Sequence, residues 1–189
     1  MQTRLVYNID AGGIIVAVDE RWKEFWRANS AAGQPMREPV GTLLWSHFSD
    51  PTTVHLYEAM LARVRLRGKP LTVPFRCDAP DRRRYLELHI ERLPAGIIQF
   101  SSVTLREEPR QWMPLLDARP RVSAKLIRMC SWCKRVALPD WVEVEESVRR
   151  LRLFEPDAQV PGVTHSICET CAASVLETLK RLGDETGGR

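Results

Sequence analysis

The sequence predicts an α+β fold: a five-stranded antiparallel sheet with short helices, followed by a small cysteine-based module. Alternating apolar and polar residues near the N-terminus and over residues 71–103 predict the strands. The stretch between them carries apolar residues at helical spacing, which predicts helices. Two Cys-x-x-Cys motifs, residues 130–133 and 168–171, predict the C-terminal module.

The N-terminal elements begin with a hairpin. Residues 3–9 and 14–18 predict two strands, and the turn sequence DAGG at residues 10–13 joins them. Asp19 is placed to cap the helix that follows. That helix carries three aromatic residues on one face: Trp22, Phe25 and Trp26.

A longer helix and three strands complete the predicted sheet domain. The helix starts at Asp50, has a proline in its first turn and ends at Gly68, which is a typical stop signal. Residues 71–75, 85–91 and 97–103 then alternate with period two, so each predicted strand has one buried face.

The composition limits the classes of partner. The chain has 189 residues, 44% of them hydrophobic, and a formal net charge of +4. Its longest clean apolar run, residues 14–18, is far shorter than the roughly 20 residues that a membrane span needs. The positive charge is spread over the chain and forms no basic stripe that would grip a phosphate backbone. With no signal region at the N-terminus, we expect a cytoplasmic protein with neither membrane nor nucleic acid as partner.

The order of predicted elements resembles the PAS fold, a small α+β sensory domain. The resemblance covers residues 3–106 and includes DAGGI at 10–14, VGTL at 40–43 and PFRCD at 74–78. It implies a sensor with a small-molecule ligand or a partner protein, and a homodimer by analogy. We therefore expect a sensor domain over 1–106, a proline-punctuated linker over 107–124 and a zinc-binding module over 125–189.

Four of the five cysteines fall into the two short pairs: Cys130, Cys133, Cys168 and Cys171. Two such pairs are the commonest way to supply four thiolates to a tetrahedral Zn²⁺ site. The second pair lies where apolar spacing predicts a helix start, so a treble-clef or ribbon-like arrangement is expected. His165 is an alternative fourth ligand, because it lies three residues before Cys168.

The residues between the two cysteine pairs predict one more helix. Its start is expected at residues 139–143, where Asp140 and Glu143 form a box-like capping pair and Trp141 begins the buried stripe. The motifs CSWCK at 130–134 and HSICETC at 165–171 resemble a cysteine module of bacterial signalling proteins. That resemblance implies an accessory element of signalling and no known reaction.

The predicted function is therefore a non-catalytic bacterial sensor or adaptor with a structural zinc module. A redox-responsive thiol or zinc switch that uses the same four cysteines is an alternative. A haem sensor is another, since the resemblance to PAS haem sensors would place the proximal histidine near His55 on the long helix. Cys77 is in phase with the apolar residues of its strand and is expected in the core.

Overall fold

The N-terminal part of the chain forms a five-stranded antiparallel sheet with helices between its second and third strands. The computed structural model describes residues 4–29, 38–48, 50–117 and 125–184. The strands and helices of this part are β1 Arg4–Ile9, β2 Ile15–Val18, α1 Glu20–Asn29, α2 Pro51–Arg67, β3 Leu71–Arg76, β4 Arg82–Arg92 and β5 Ile98–Pro109. The order across the sheet is β2-β1-β5-β4-β3, which confirms the predicted antiparallel sheet and leaves β3 at one edge.

Local signals in the sequence set the start of α1 and both ends of α2. The carboxylate of Asp19 accepts the Trp22 N–H at 2.6 Å, at the start of α1. The carboxylate of Asp50 accepts the Thr53 N–H at 2.8 Å, and Gly68 ends α2 with φ +65°, a conformation that other residues seldom adopt. These predicted caps are confirmed.

The core of this part lies between α2 and one face of the sheet. Leu56, Met60 and Val64 on α2 are almost fully buried, and they face the sheet. Tyr7 and Phe100 stack across β1 and β5 with ring centroids 4.6 Å apart. Period-two alternation along the strands thus places their apolar residues on the face that α2 covers.

The C-terminal part forms a second, four-stranded sheet with two helices. Its elements are β6 Leu126–Cys130, β7 Val136–Leu138, β8 Asp140–Val142, α3 Val144–Arg150, β9 Gly162–Ser166 and α4 Glu169–Asp184. The strand order is β8-β7-β6-β9, with β6 and β9 parallel and the other pairs antiparallel. No helix in the described part of the chain is long and apolar enough to cross a membrane.

The helix predicted to start within residues 139–143 is wrong in its position. Asp140–Val142 is a strand that pairs with β7, and α3 begins only at Val144. Pro139 sits at the tight turn between the two strands, where its missing N–H costs no ladder bond. Trp141 therefore lies in β8, half-buried, rather than on a helical stripe.

The segment predicted as a linker contains buried residues. Strand β5 continues to Pro109, paired with the start of β4. Met113 and Leu115 are each 2% exposed and pack in a cluster with residues of the second sheet and α3. The three-part division of the chain stays a prediction, and residues 118–124 lie outside the described part.

A network of buried and half-buried ion pairs lies at the turn between β3 and β4. The side chain of Asp78 is fully buried and pairs with Arg76 and, at 3.1 Å, with Arg110. Arg110 also contacts Glu145 at 3.0 Å, and Arg83 reaches the same carboxylate at 2.8 Å. Because Glu145 belongs to α3, this group joins the two parts of the chain.

Glu143 extends the same network of ion pairs toward the cysteines. Its carboxylate accepts hydrogen bonds from Arg76 at 2.7 Å and from Arg135 at 3.0 Å. Burial by itself would raise the pKa of Glu143, but the two guanidinium groups outweigh burial and lower it. The arginine–carboxylate network thus comprises Arg76, Asp78, Arg83, Arg110, Arg135, Glu143 and Glu145.

We expect Asp78→Ala to lower the free energy of unfolding by about 3 kcal/mol, because it leaves two buried guanidinium groups without their shared partner. Urea unfolding followed by circular dichroism measures the change. Asp81→Ala is the matched control, since Asp81 pairs with Arg82 in the same turn but is exposed and should change stability little. Equal losses in the two variants would contradict the structural role of Asp78.

Candidate metal centre

The side chains of the two Cys-x-x-Cys pairs form one cluster in the C-terminal part of the chain. The sulfur atoms of Cys130, Cys133, Cys168 and Cys171 all lie within 4.8 Å of one another. Cys130 and Cys168 are buried, and the other two are half-buried. The sulfurs of Cys133 and Cys168 are 3.7 Å apart, and all four residues are free thiols rather than disulfides.

The first pair lies in the turn between β6 and β7. Cys130 is the last residue of β6, and its N–H donates to the Arg135 carbonyl at 2.7 Å. Its carbonyl accepts the Lys134 N–H at 3.0 Å, with Lys134 in the left-handed region at φ +64°. The Cys133 N–H points to the sulfur of Cys130 at 3.5 Å, so the turn directs backbone donors at a thiolate.

The second pair lies at the start of α4. Cys168 directly precedes the helix, and its N–H points to the sulfur of Cys130 at 3.4 Å. Cys171 lies in the first turn, where unpaired N–H groups and the helix dipole favour thiolates. Parallel pairing of β6 with β9 brings Cys130 opposite Ser166, which places the two pairs side by side. The Ser131 N–H donates to the Ser166 carbonyl at 2.7 Å and locks this register.

The thiols of Cys130, Cys133 and Cys171 differ in how readily they lose a proton. The thiols of Cys133 and Cys171 and nearby backbone N–H groups all donate to the sulfur of Cys130, which lowers the pKa of Cys130. For the same reason the pKa values of Cys133 and Cys171 are raised, since each thiol is held by its neighbouring sulfur. These three thiols therefore titrate as a coupled set in which Cys130 loses its proton first.

The dimensions of the cluster suit a metal ion. A tetrahedral centre with metal–sulfur bonds of about 2.3 Å has sulfur–sulfur edges of about 3.8 Å, close to the 3.7 Å between Cys133 and Cys168. A divalent cation would also supply the charge that allows all four thiols to ionise. The donor set is consistent with Zn²⁺ and is not specific to it.

Two cations flank the cluster on the first turn. Lys134 donates its ammonium to the Ser131 carbonyl at 2.7 Å, which holds this charge beside the turn. The pKa of Arg135 is raised, first by its hydrogen bond to Glu143 and further by the charges of Cys133 and Cys168. Four thiolates and one divalent cation carry a net charge of about −2, and these side chains offset part of it.

Trp132, between the two cysteines of the first pair, joins the cluster to the five-stranded sheet. It is 7% exposed, and its indole N–H donates to the Pro74 carbonyl on edge strand β3 at 2.7 Å. Its carbonyl accepts the Arg76 N–H, also at 2.7 Å. Its ring packs edge-on against Tyr57 at a centroid distance of 5.8 Å. Sequence reasoning missed this contact, although a large apolar residue inside a Cys-x-x-Cys turn is a signal for docking.

The other predicted site residues do not belong to the sulfur cluster. His165 is an exposed residue of β9 and is not among the four clustered ligands. Partial desolvation of its ring and the charge of Lys134 lower the pKa of His165. His55 lies on the exposed face of α2. Cys77 is half-buried and lines a cavity under α1 together with Trp22. The side chain of Trp26 lies outside the described residues.

Fold and site together define an α+β protein with an antiparallel five-stranded sheet and a four-cysteine cluster that could hold a metal ion. No family model matches the chain, and no curated protein matches it.

We expect protein purified without added metal to contain about one metal ion per chain, measured by elemental analysis. Cys168→Ser should reduce the metal content strongly, because it removes a buried sulfur at the centre of the cluster. Cys77→Ser is the matched control and should keep the full content. Metal-free wild-type protein that stays metal-free after zinc is added under reducing conditions would contradict the assignment.

Proposed function

We propose that the chain is a non-catalytic sensor or adaptor of bacterial signalling, in which a PAS-like domain is joined to a structural zinc module. The observed order of elements supports the PAS resemblance: a hairpin, helices and then three antiparallel strands. The β6–β7 turn followed by the start of α4 supports a treble-clef or ribbon-like arrangement around the cysteines.

The number of cysteine ligands supports a structural role for the metal. Four thiolates complete a tetrahedron and leave no open position for substrate or water, unlike catalytic zinc sites with three protein ligands. Metal binding to such a set contributes on the order of 10 kcal/mol to folding of a small module. The strands of this module are three to five residues long, so it gains more from the metal than a large domain would.

The observation that carries the proposal is the position of Trp132. The residue that stands between the first two ligands is also the residue that caps edge strand β3. A change in the geometry of the first turn must therefore reach the sheet, and a change in the sheet must reach the turn. Such a direct mechanical link is what an adaptor needs to pass a signal from a sensor domain to its accessory module.

A second link supports the same role. Arg63 on α2 donates two hydrogen bonds, at 3.1 and 2.7 Å, to the Leu179 carbonyl on α4. Helix α4 supplies Cys171 to the cluster, so both cysteine pairs are tied to the sheet domain. We propose that ligand or partner binding to the sheet domain moves these contacts, and that a second copy or a signalling protein reads the change.

A redox-responsive switch is the second candidate. Cys133 and Cys171 are half-buried and line a cavity of about 260 Å³ beside β3 and α4. A peroxide that enters there would oxidise two thiolates to one disulfide and would itself be reduced to water or an alcohol. The sulfurs of that disulfide would no longer hold the metal. Metal release and disulfide formation at low peroxide concentration, with recovery after reduction, would favour this candidate over a purely structural centre.

We expect removal of the metal under reducing conditions to expose β3. Hydrogen exchange of the full chain should show loss of protection at Arg76, whose N–H is bonded to Trp132, and little change at Tyr7 on β1. Adding zinc back should restore protection. Unchanged exchange at Arg76 would contradict a link between the metal centre and the sheet.

In the cell, we expect Trp132→Ala to reproduce the transcriptional response of a gene deletion while the protein level stays measurable. Trp112→Ala is the matched control, because Trp112 is 49% exposed and should leave the response unchanged. Genome-wide expression profiles that are identical in wild type, deletion and Trp132→Ala would contradict a signalling role.

A further inference from the structure

A cavity of about 290 Å³ lies between α1 and the inner face of the five-stranded sheet. None of the four clustered cysteines lines it, and Phe75 stands between it and the cavity that Cys133 and Cys171 line. Its volume is at the lower end for small-molecule sites and suits a ligand of one or two rings.

The walls of this cavity are mainly apolar and aromatic. Trp22 and Phe25 project from α1, and Phe75 and Leu86 project from adjacent positions of β3 and β4. Flat rings on the wall favour a flat ligand body, which buries its faces against them. The hydroxyl groups of nearby β5 residues add polar positions on the sheet side: Ser102 and Thr104.

Arg84 is the positively charged residue that lines this apolar space. Its guanidinium carbon lies 5.5 Å from the centre of the Phe25 ring, and its Nε is buried without a hydrogen-bond partner. Among the described residues no carboxylate forms an ion pair with it. Buried polar atoms of native proteins almost always have a partner, so an unpartnered Nε on a residue that lines a cavity points to a missing acceptor.

The neighbouring carboxylate does not supply that acceptor. Glu107 lies opposite Arg84 on β5 and also lines the cavity, but its carboxylate contacts Arg82 at 3.4 Å. An anionic ligand must therefore approach Arg84 from the aromatic side, away from Glu107. A carboxylate suits this approach, because a guanidinium group binds one with two parallel hydrogen bonds.

We propose that this cavity binds a small carboxylic acid with a flat apolar body, its carboxylate on Arg84 and its body between α1 and the sheet. The inference rests on the proposed sensor function, for which it names the class of ligand. Bound there, the ligand would contact β3 through Phe75, close to the residues of β3 that Trp132 holds. Ligand binding and the metal centre would thus act on the same strand.

Calorimetric titration of the metal-loaded full chain with 2-naphthoate and its neutral isostere 2-naphthamide tests the proposal. We expect naphthoate to bind at least about tenfold more tightly, because a charged hydrogen bond contributes that much. Arg84→Gln should abolish the preference, and Arg106→Gln should keep it, since Arg106 is exposed on β5. A preference below tenfold in wild type, or one that survives in Arg84→Gln, overturns the proposal.

A second variant keeps the test decisive if Arg84→Gln does not fold. Leu86→Phe retains the arginine but adds bulk to the apolar wall, so it should weaken naphthoate binding at least tenfold. Unchanged affinity in this variant overturns the proposed location. Metal content and the metal-dependent protection of Arg76 are measured in the same samples. A failure of ligand binding with both of these intact leaves the proposed function standing.

Discussion

The docking of Trp132 on edge strand β3 is the interaction on which the rest of the arrangement depends. An edge strand presents unpaired carbonyl and N–H groups, and a buried one must find partners for them. Here the indole N–H of Trp132 donates to the Pro74 carbonyl, and the Trp132 carbonyl accepts the Arg76 N–H. The indole ring packs beside Tyr57. Because Trp132 stands between two cysteines, the same turn protects the sheet and shapes the cluster.

The charges near the cluster follow from this docking. Arg76 donates its N–H to Trp132, and its guanidinium bridges Asp78 and Glu143. Glu143 in turn holds Arg135 beside the sulfurs. A buried ion network stabilises little by itself, but breaking one partner is costly, so it favours one orientation of the two parts of the chain. The network and Trp132 therefore fix the same interface by different forces.

The sheet domain offers two different internal environments. Under α2 the space is filled by large apolar and aromatic side chains, including the stacked rings of Tyr7 and Phe100. Under α1 a cavity remains, with the guanidinium of Arg84 at its wall. The packed region under α2 stabilises the sheet. The cavity under α1 is where a bound ligand would contact β3 without displacing packed side chains.

Local signals in the sequence determined the strands of the sheet, the helix caps at Asp19, Asp50 and Gly68, and the grouping of the four cysteines. Strand alternation, capping and short ligand spacing are each set by residues a few positions apart. Only the tertiary structure decided that residues 140–142 form a strand, since pairing with β7 overrides their helical pattern. It also decided the contacts of Trp132, the burial of Met113 and the exposure of His55. Each of these features depends on contacts with residues that are distant in the sequence, and residue spacing does not predict such contacts.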